Sequence, residues 1–260
     1  MRPIRFLTPA LATFFALTTA LVLADDNHAE DLQLGAQVYQ GLAAKNEIVT
    51  DSPYNAILQS TGSKIAAAAQ PHWFTERFFV VRGNQANAFS APGGYVFVNE
   101  GLLDGVDNVA ELANVLAHET AHLVNGDVTA QNNAKAEQTI VTGVGKMIAG
   151  NNAQAQTGLN VASMGTNYGF LNYSRQQEFA ADQGGVTIAA RAGFNPWGTI
   201  WYLTEVERIS GDAGYESYVQ HHPSTSERIQ KIEQYFTANP ATFAHWTNTM
   251  PPGIGLPEGS

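Results

Sequence analysis

The stretch His118-Glu119-Thr120-Ala121-His122 constrains this chain more than any other. It lies in an apolar run of helical periodicity, Val109, Leu112, Leu116 and Leu123, opened by the capping-box pattern Asn108-x-x-Glu111 and stopped by Asn125-Gly126. Glu111, Val115, His118 and His122 then share one helical face. Two histidines four apart present both imidazoles to one point, a geometry suited to a metal ion. Glu119 points about 100° around the helix from His118, beside such an ion rather than on it, where it can take a proton from an attacking water. A hydrolytic zinc site uses three protein ligands and keeps one position open. With no cysteine anywhere in the sequence, the third ligand must be His, Asp or Glu.

A chain of 260 residues can build one sizeable core or at most two small domains, and 44% hydrophobic with 14% charged residues are globular values. Thirteen Lys and Arg against 23 Asp and Glu give a formal charge of −10, which argues against nucleic acid or an anionic membrane surface as the partner. Residues 1–24 read as a secretory signal: Arg2 and Arg5 precede an apolar run from Phe6 to Leu23, and Val22-Leu23-Ala24 suits cleavage. A retained membrane anchor is the alternative, although Pro9 and four threonines dilute the run. Export without disulfides points to a bacterial periplasm. The remaining chain, residues 25–250, reads as one domain, with a disordered tail over residues 251–260.

Helical spacing predicts helices over Asp31–Ala44 and Tyr54–Ala69. Phe78–Val81 reads as a strand, and Asn87–Ser90 and Tyr95–Val98 as two strands joined by the Pro92-Gly93-Gly94 bend. The Gly-, Ala- and Asn-rich stretch from Ala130 to Tyr168 reads as weak helices, either a mobile lid or a surface insertion. Ser174-x-x-Gln177 opens a helix through Arg191 that carries Glu178 and Asp182 four apart. Taken alone, such a carboxylate pair is usually a solvated face. Pro196 starts a further helix with Trp197, Ile200, Trp201, Leu203 and Val206 on its core side, and Ser224-x-x-Glu227 caps the last one after His221-His222-Pro223.

Four segments in order, Asn87-Ala88-Phe89-Ser90-Ala91-Pro92-Gly93-Gly94-Tyr95-Val96-Phe97-Val98, then Gly101-Leu102-Leu103, then Ala117 to His122, then Ser174 to Asp182, resemble the successive signatures of the HtpX/CaaX-prenyl-protease superfamily of zinc metallopeptidases. The match runs from about Gly35 to Phe236. The resemblance implies an α+β, mainly helical gluzincin fold with a small β-sheet beside the His118–His122 helix, and endopeptidase activity in protein quality control. It implies one zinc ion held by His118, His122 and Glu178, with Glu119 as general base. Asp182, one turn past Glu178, is placed to accept the free N–H of a ligating imidazole. Tyr95, Val96, Phe97 and Val98 are expected to form the free sheet edge that holds an extended substrate, an ordinary core hairpin being the alternative. His222 matches the His-Pro position near the zinc, where it either blocks the open position or supports the oxyanion.

The transmembrane helices of other branches are not found in this sequence, so prenylated substrates are not expected. The expected partners are polypeptides, unfolded or outer-membrane proteins, with no nucleic acid and no lasting membrane span. A zinc-stabilised holdase or assembly factor without turnover is the rival expectation.

Overall fold

The structure, a computed structural model, describes residues 28–130, 173–209, 222 and 225–251. The leader, residues 131–168 and the tail past Pro251 lie outside the described residues, as do His221, Pro223 and Ser224. In chain order the elements are α1 (28–44), then α2 (Asn55–Ala69), β1 (Arg77–Val81), β2 (Ala88–Ala91), β3 (Tyr95–Asn99) and α3 (Glu100–Gly105). There follow α4 (Val109–Val124), α5 (Arg175–Arg191), α6 (Gly198–Ile209), α7 (Thr225–Ala238) and the short α8 (Pro240–Phe243). This is the mainly helical α+β architecture with a small sheet. Among the described residues no helix is long and apolar enough to cross a membrane.

The sheet has the order β1-β3-β2, with β1 parallel and β2 antiparallel to β3. Both faces are covered, which explains why β1 and β3 read as unbroken apolar runs. Phe78, Val80, Val96 and Val98 face the main core, whereas Phe79, Val81, Tyr95 and Phe97 face a smaller one completed by Val38 and Leu42 of α1. Phe79, Phe97 and Phe89 stand in one cross-strand row with ring centroids 5.4 and 5.0 Å apart. Such pairs contribute about 0.2–1 kcal/mol each. The β2–β3 turn needs its glycines: Gly94 has φ +91°, and a Cβ there would meet the Thr75 carbonyl oxygen at 2.5 Å.

This topology corrects one sequence expectation. Tyr95, Val96, Phe97 and Val98 do not form a free edge, because β3 is the central strand, hydrogen-bonded on both sides. The outer side of β1 is partly covered by residues 47–49, through Val49 N–H to the Val80 carbonyl at 3.0 Å and Arg82 N–H to the Glu47 carbonyl at 2.7 Å. The outer side of β2 has no strand partner among the described residues. The edge beside the His118 helix is therefore Ala88–Ala91.

Helix α4 runs through the middle of the molecule, packed most extensively on α5 and also on α2, α6 and β2. Asn108 Oδ1 caps it, accepting from the N–H groups of Ala110 and Glu111 at 3.0 and 3.1 Å. Every residue from Glu111 to Leu123 is buried. Leu112 and Leu116 are fully enclosed, each worth about 1.5–3 kcal/mol of burial. Gly185 lets α5 approach: a Cβ there would lie 3.0 Å from the His118 backbone nitrogen. That close approach at the level of His118 brings the carboxylates of α5 to the imidazoles of α4.

Candidate metal centre

Helix α4 supplies His118, Glu119 and His122, and α5 supplies Glu178 in its first turn and Asp182 one turn later. The Ser174–Gln177 capping box fixes the start of α5, where the helix dipole favours a carboxylate. His222 comes from the chain ahead of α7. All five side chains and His222 are buried.

The structure brings His118, His122, Glu178 and His222 together with one donor atom from each, all within 4.8 Å of one another. His118 Nε2 and His122 Nε2 are 3.1 Å apart. Glu178 Oε1 lies 3.4 Å from His122 Nε2, and Oε2 3.7 Å from His118 Nε2. His222 Nδ1 lies 3.3 Å from His118 Nε2 and 3.0 Å from Glu178 Oε1.

These distances test whether an ion fits. Zinc ligands at about 2.0–2.1 Å in a tetrahedron are separated by roughly 3.3–3.4 Å, and the separations above, 3.0 to 3.7 Å, bracket that value. The far sides of the rings agree. His122 Nδ1 donates to Asp127 Oδ2 at 2.9 Å, and His118 Nδ1 is 3.2 Å from Asp182 Oδ1. With protons held there, both Nε2 atoms are free to turn a lone pair to a cation bound between them.

The electrostatics of the cluster are strongly anionic on α5. Burial would raise Glu178, but His222 and Arg228 outweigh it and hold the carboxyl well below the usual range. Burial likewise acts against ionised Asp182, yet the Arg228 guanidinium holds it down at about 2. Burial lowers His118, whereas His122 is raised to about 9, its burial overcome by Asp127 and Glu178.

Glu119 stands beside the cluster. Ser90 of β2 donates to its Oε2 at 3.0 Å, while Oε1 carries no hydrogen bond among the described residues and lies 3.6 Å from His222 Nε2. One carboxylate oxygen is thus anchored and the other is available to accept a proton.

Four residues of the site were not singled out from sequence: Ser90, Asp127, Tyr173 and Arg228. Tyr173 stacks on His122 with centroids 3.7 Å apart and planes at 11°, and burial together with Glu119 raises its phenol well above the ordinary value. Asp127 is wired to the cap of α5, since Gln177 Nε2 donates to its Oδ1 at 3.0 Å. Arg228 left one trace in the sequence: it sits four residues before Ile232 and eight before Phe236, a cation on the buried stripe of α7.

The sequence profile of Peptidase family M48 matches residues 53–236, which span the whole sheet, α4, α5 and nearly all of α7. The chain belongs to peptidase family M48. It is 27% identical over 79% of its length to a putative beta-barrel assembly-enhancing protease of Vibrio cholerae, and 25% identical over 77% to the beta-barrel assembly-enhancing protease of Escherichia coli. These alignments cover 45% and 42% of the two relatives, so the chain spans less than half the length of either. A mitochondrial metalloendopeptidase OMA1 of Schizosaccharomyces pombe is 33% identical over 60% of this chain and 45% of its own length. Membership of family M48 implies a metal, and the donor set described above is where it fits.

Proposed function

We propose that the chain is a zinc-dependent endopeptidase that hydrolyses unfolded or misassembled exported proteins, outer-membrane proteins among them, in the bacterial periplasm. The observation that carries this reading is the juxtaposition of three convergent donor groups with Glu119, whose unbonded oxygen lies 3.6 Å from His222 in the same cluster, beside a sheet edge with no strand partner among the described residues. His118, His122 and Glu178 would hold the ion. When bound, zinc supplies a Lewis acid that makes water acidic near neutral pH and polarises a scissile carbonyl.

The residues of this chain do the rest. Glu119 Oε1 takes the proton of the attacking water and returns it to the leaving amine, while Ser90 keeps Oε2 in place. Asp127 and Asp182 hold His122 and His118 with their lone pairs inward. The outer edge of β2 pairs with an extended substrate backbone, which selects unfolded chains over folded ones. Similarity to proteases of beta-barrel assembly supports outer-membrane proteins as the substrate class, and the leader-like first 24 residues support export.

A second reading has one observation in its favour. His222 would supply a fourth protein ligand, and four closed protein ligands are the mark of structural zinc, as in a holdase or assembly factor without turnover. Glu119 argues against it, since a free general base beside the ion has no purpose in a structural site.

Casein digestion by the purified protein decides between them: cleavage that stops with a chelator and returns with added zinc is the expected result. No cleavage under any condition, including in His222→Ala, overturns the peptidase reading in favour of the holdase.

A further inference from the structure

Arg228 is 1% exposed, and its guanidinium spans the two carboxylates of α5. Its Nε donates to Asp182 Oδ2 at 2.8 Å and its Nη2 to Asp182 Oδ1 at 2.6 Å, a bidentate pair. The third nitrogen, Nη1, forms an ion pair with Glu178 Oε2 at 3.0 Å. One planar cation therefore fixes both acidic groups at once, which the single point charge of a lysine cannot reproduce.

The consequence lies in which oxygen is left over. Glu178 Oε1 lies 3.4 Å from His122 Nε2 and 3.0 Å from His222 Nδ1; Oε2 carries the Arg228 ion pair and lies 3.7 Å from His118 Nε2 and 3.2 Å from His222 Nδ1. A glutamate that offered both oxygens would fill two positions around an ion. With two histidines, that would complete four ligands before any water or His222 arrived.

We infer that Arg228 makes Glu178 a one-oxygen ligand, reserving Oε2 for itself, and thereby keeps the fourth position of the metal site exchangeable. Arg228 acts through Glu178 and Asp182, so it is a positioning residue. It acts on a second ligand too, because Asp182 Oδ1 faces both Arg228 Nη2 and His118 Nδ1, the latter at 3.2 Å. This inference rests on the metallopeptidase reading, since it assumes an ion among these donors.

The test uses the full chain carrying Glu119→Gln, which prevents self-cleavage, loaded with cobalt(II) or zinc. Cobalt has strong visible bands in four-coordinate sites and weak ones when a fifth oxygen binds. Arg228→Lys, which keeps a buried cation, is expected to weaken these bands as Glu178 swings both oxygens to the ion. It is also expected to lower zinc affinity roughly 10–100-fold, measured by competition with a chromophoric chelator. A role confined to packing would lower the melting temperature and leave the spectrum alone. Should Arg228→Lys fail to fold, the pair Arg228→Gln with Asp182→Asn removes both buried charges together, and Asp182→Asn alone is its reference. Unchanged cobalt bands in a folded variant overturn the inference. If the parent protein binds neither cobalt nor zinc, the metallopeptidase reading itself falls.

Discussion

Ser90 donates a 3.0 Å hydrogen bond to Oε2 of Glu119, joining the edge strand β2 to α4. The proposed substrate edge and the proposed base are thus registered to each other by one side chain. The register of β2 shows which of its backbone groups point away from β3. Asn99 N–H donates to the Asn87 carbonyl, so Asn87 is one of the residues bonded to β3, and alternation along an antiparallel pair turns the backbone groups of Ala88 and Ser90 outward.

Ala88→Pro should therefore remove an outward donor at the first position of the strand, where proline is tolerated, without breaking the β2–β3 ladder. Casein cleavage is expected to fall while metal content and the circular dichroism spectrum are kept. A folded, metal-loaded variant that still cuts casein at the parent rate would place the substrate elsewhere.

Glu119→Gln should keep the fold and the ion and lose nearly all peptidase activity, because an amide accepts no proton. Near-stoichiometric zinc together with intact cleavage would remove Glu119 from the mechanism.

How much of this was legible in the sequence follows from how local each signal is. His118, Glu119 and His122 lie within one turn and a half of a single helix, and the Ser174–Gln177 box announces the helix of Glu178, so ligand types and spacings could be read directly. Residues Asn87–Val98 were readable as a hairpin from its glycines, but its place in the sheet was not. The four consecutive apolar residues Tyr95–Val98 were themselves a sign of a strand buried on both faces, hence central, while the Ser90 of β2 was the polar interruption that marks an edge. Asp127 and Arg228 reach the site only through the packing of α4, α5 and α7, and nothing within their own segments predicts whom they meet.

Asp127 and Asp182 play matching parts for His122 and His118, so their amides should weaken metal binding in the same way. Asp127→Asn and Asp182→Asn are each expected to lower zinc affinity about 10–100-fold, read by chelator competition. Affinity equal to that of the parent in either variant would reduce that carboxylate to a packing partner.

Glu111 gives the fold a pH dependence of its own. Burial pushes its carboxyl up to about 7, against the opposing hydrogen bonds from Asp107 N–H at 2.8 Å and Asn108 Nδ2 at 3.2 Å. A raised folded-state value means that the folded protein holds this proton more tightly than the unfolded chain. Its contribution is then fully present below about pH 4.5 and lost as pH rises through about 7, up to about 3 kcal/mol. Glu111→Gln should flatten the fall in melting temperature between pH 5 and 7, relative to the parent measured in parallel. Identical slopes in the two proteins would show that Glu111 titrates normally.

His222 has two candidate roles that predict opposite signs. Its Nδ1 lies 3.0 and 3.2 Å from the two oxygens of Glu178 and 3.3 Å from His118 Nε2, while Nε2 lies 3.6 Å from Glu119 Oε1. The ring, 2% exposed, fills the space between the ligands and the base, which is where the attacking water must stand. On the proposed mechanism, a side chain in that place would restrain the enzyme until it moved aside. His222→Ala is therefore expected to raise basal casein cleavage and to bring self-cleavage, with zinc retained through His118, His122 and Glu178. If the imidazole instead swings over to stabilise the oxyanion, the same variant loses up to about 10²–10³-fold in rate. Zinc content measured beside activity separates these outcomes from simple loss of the ion, and an alanine variant with the parent's activity would deny His222 either role.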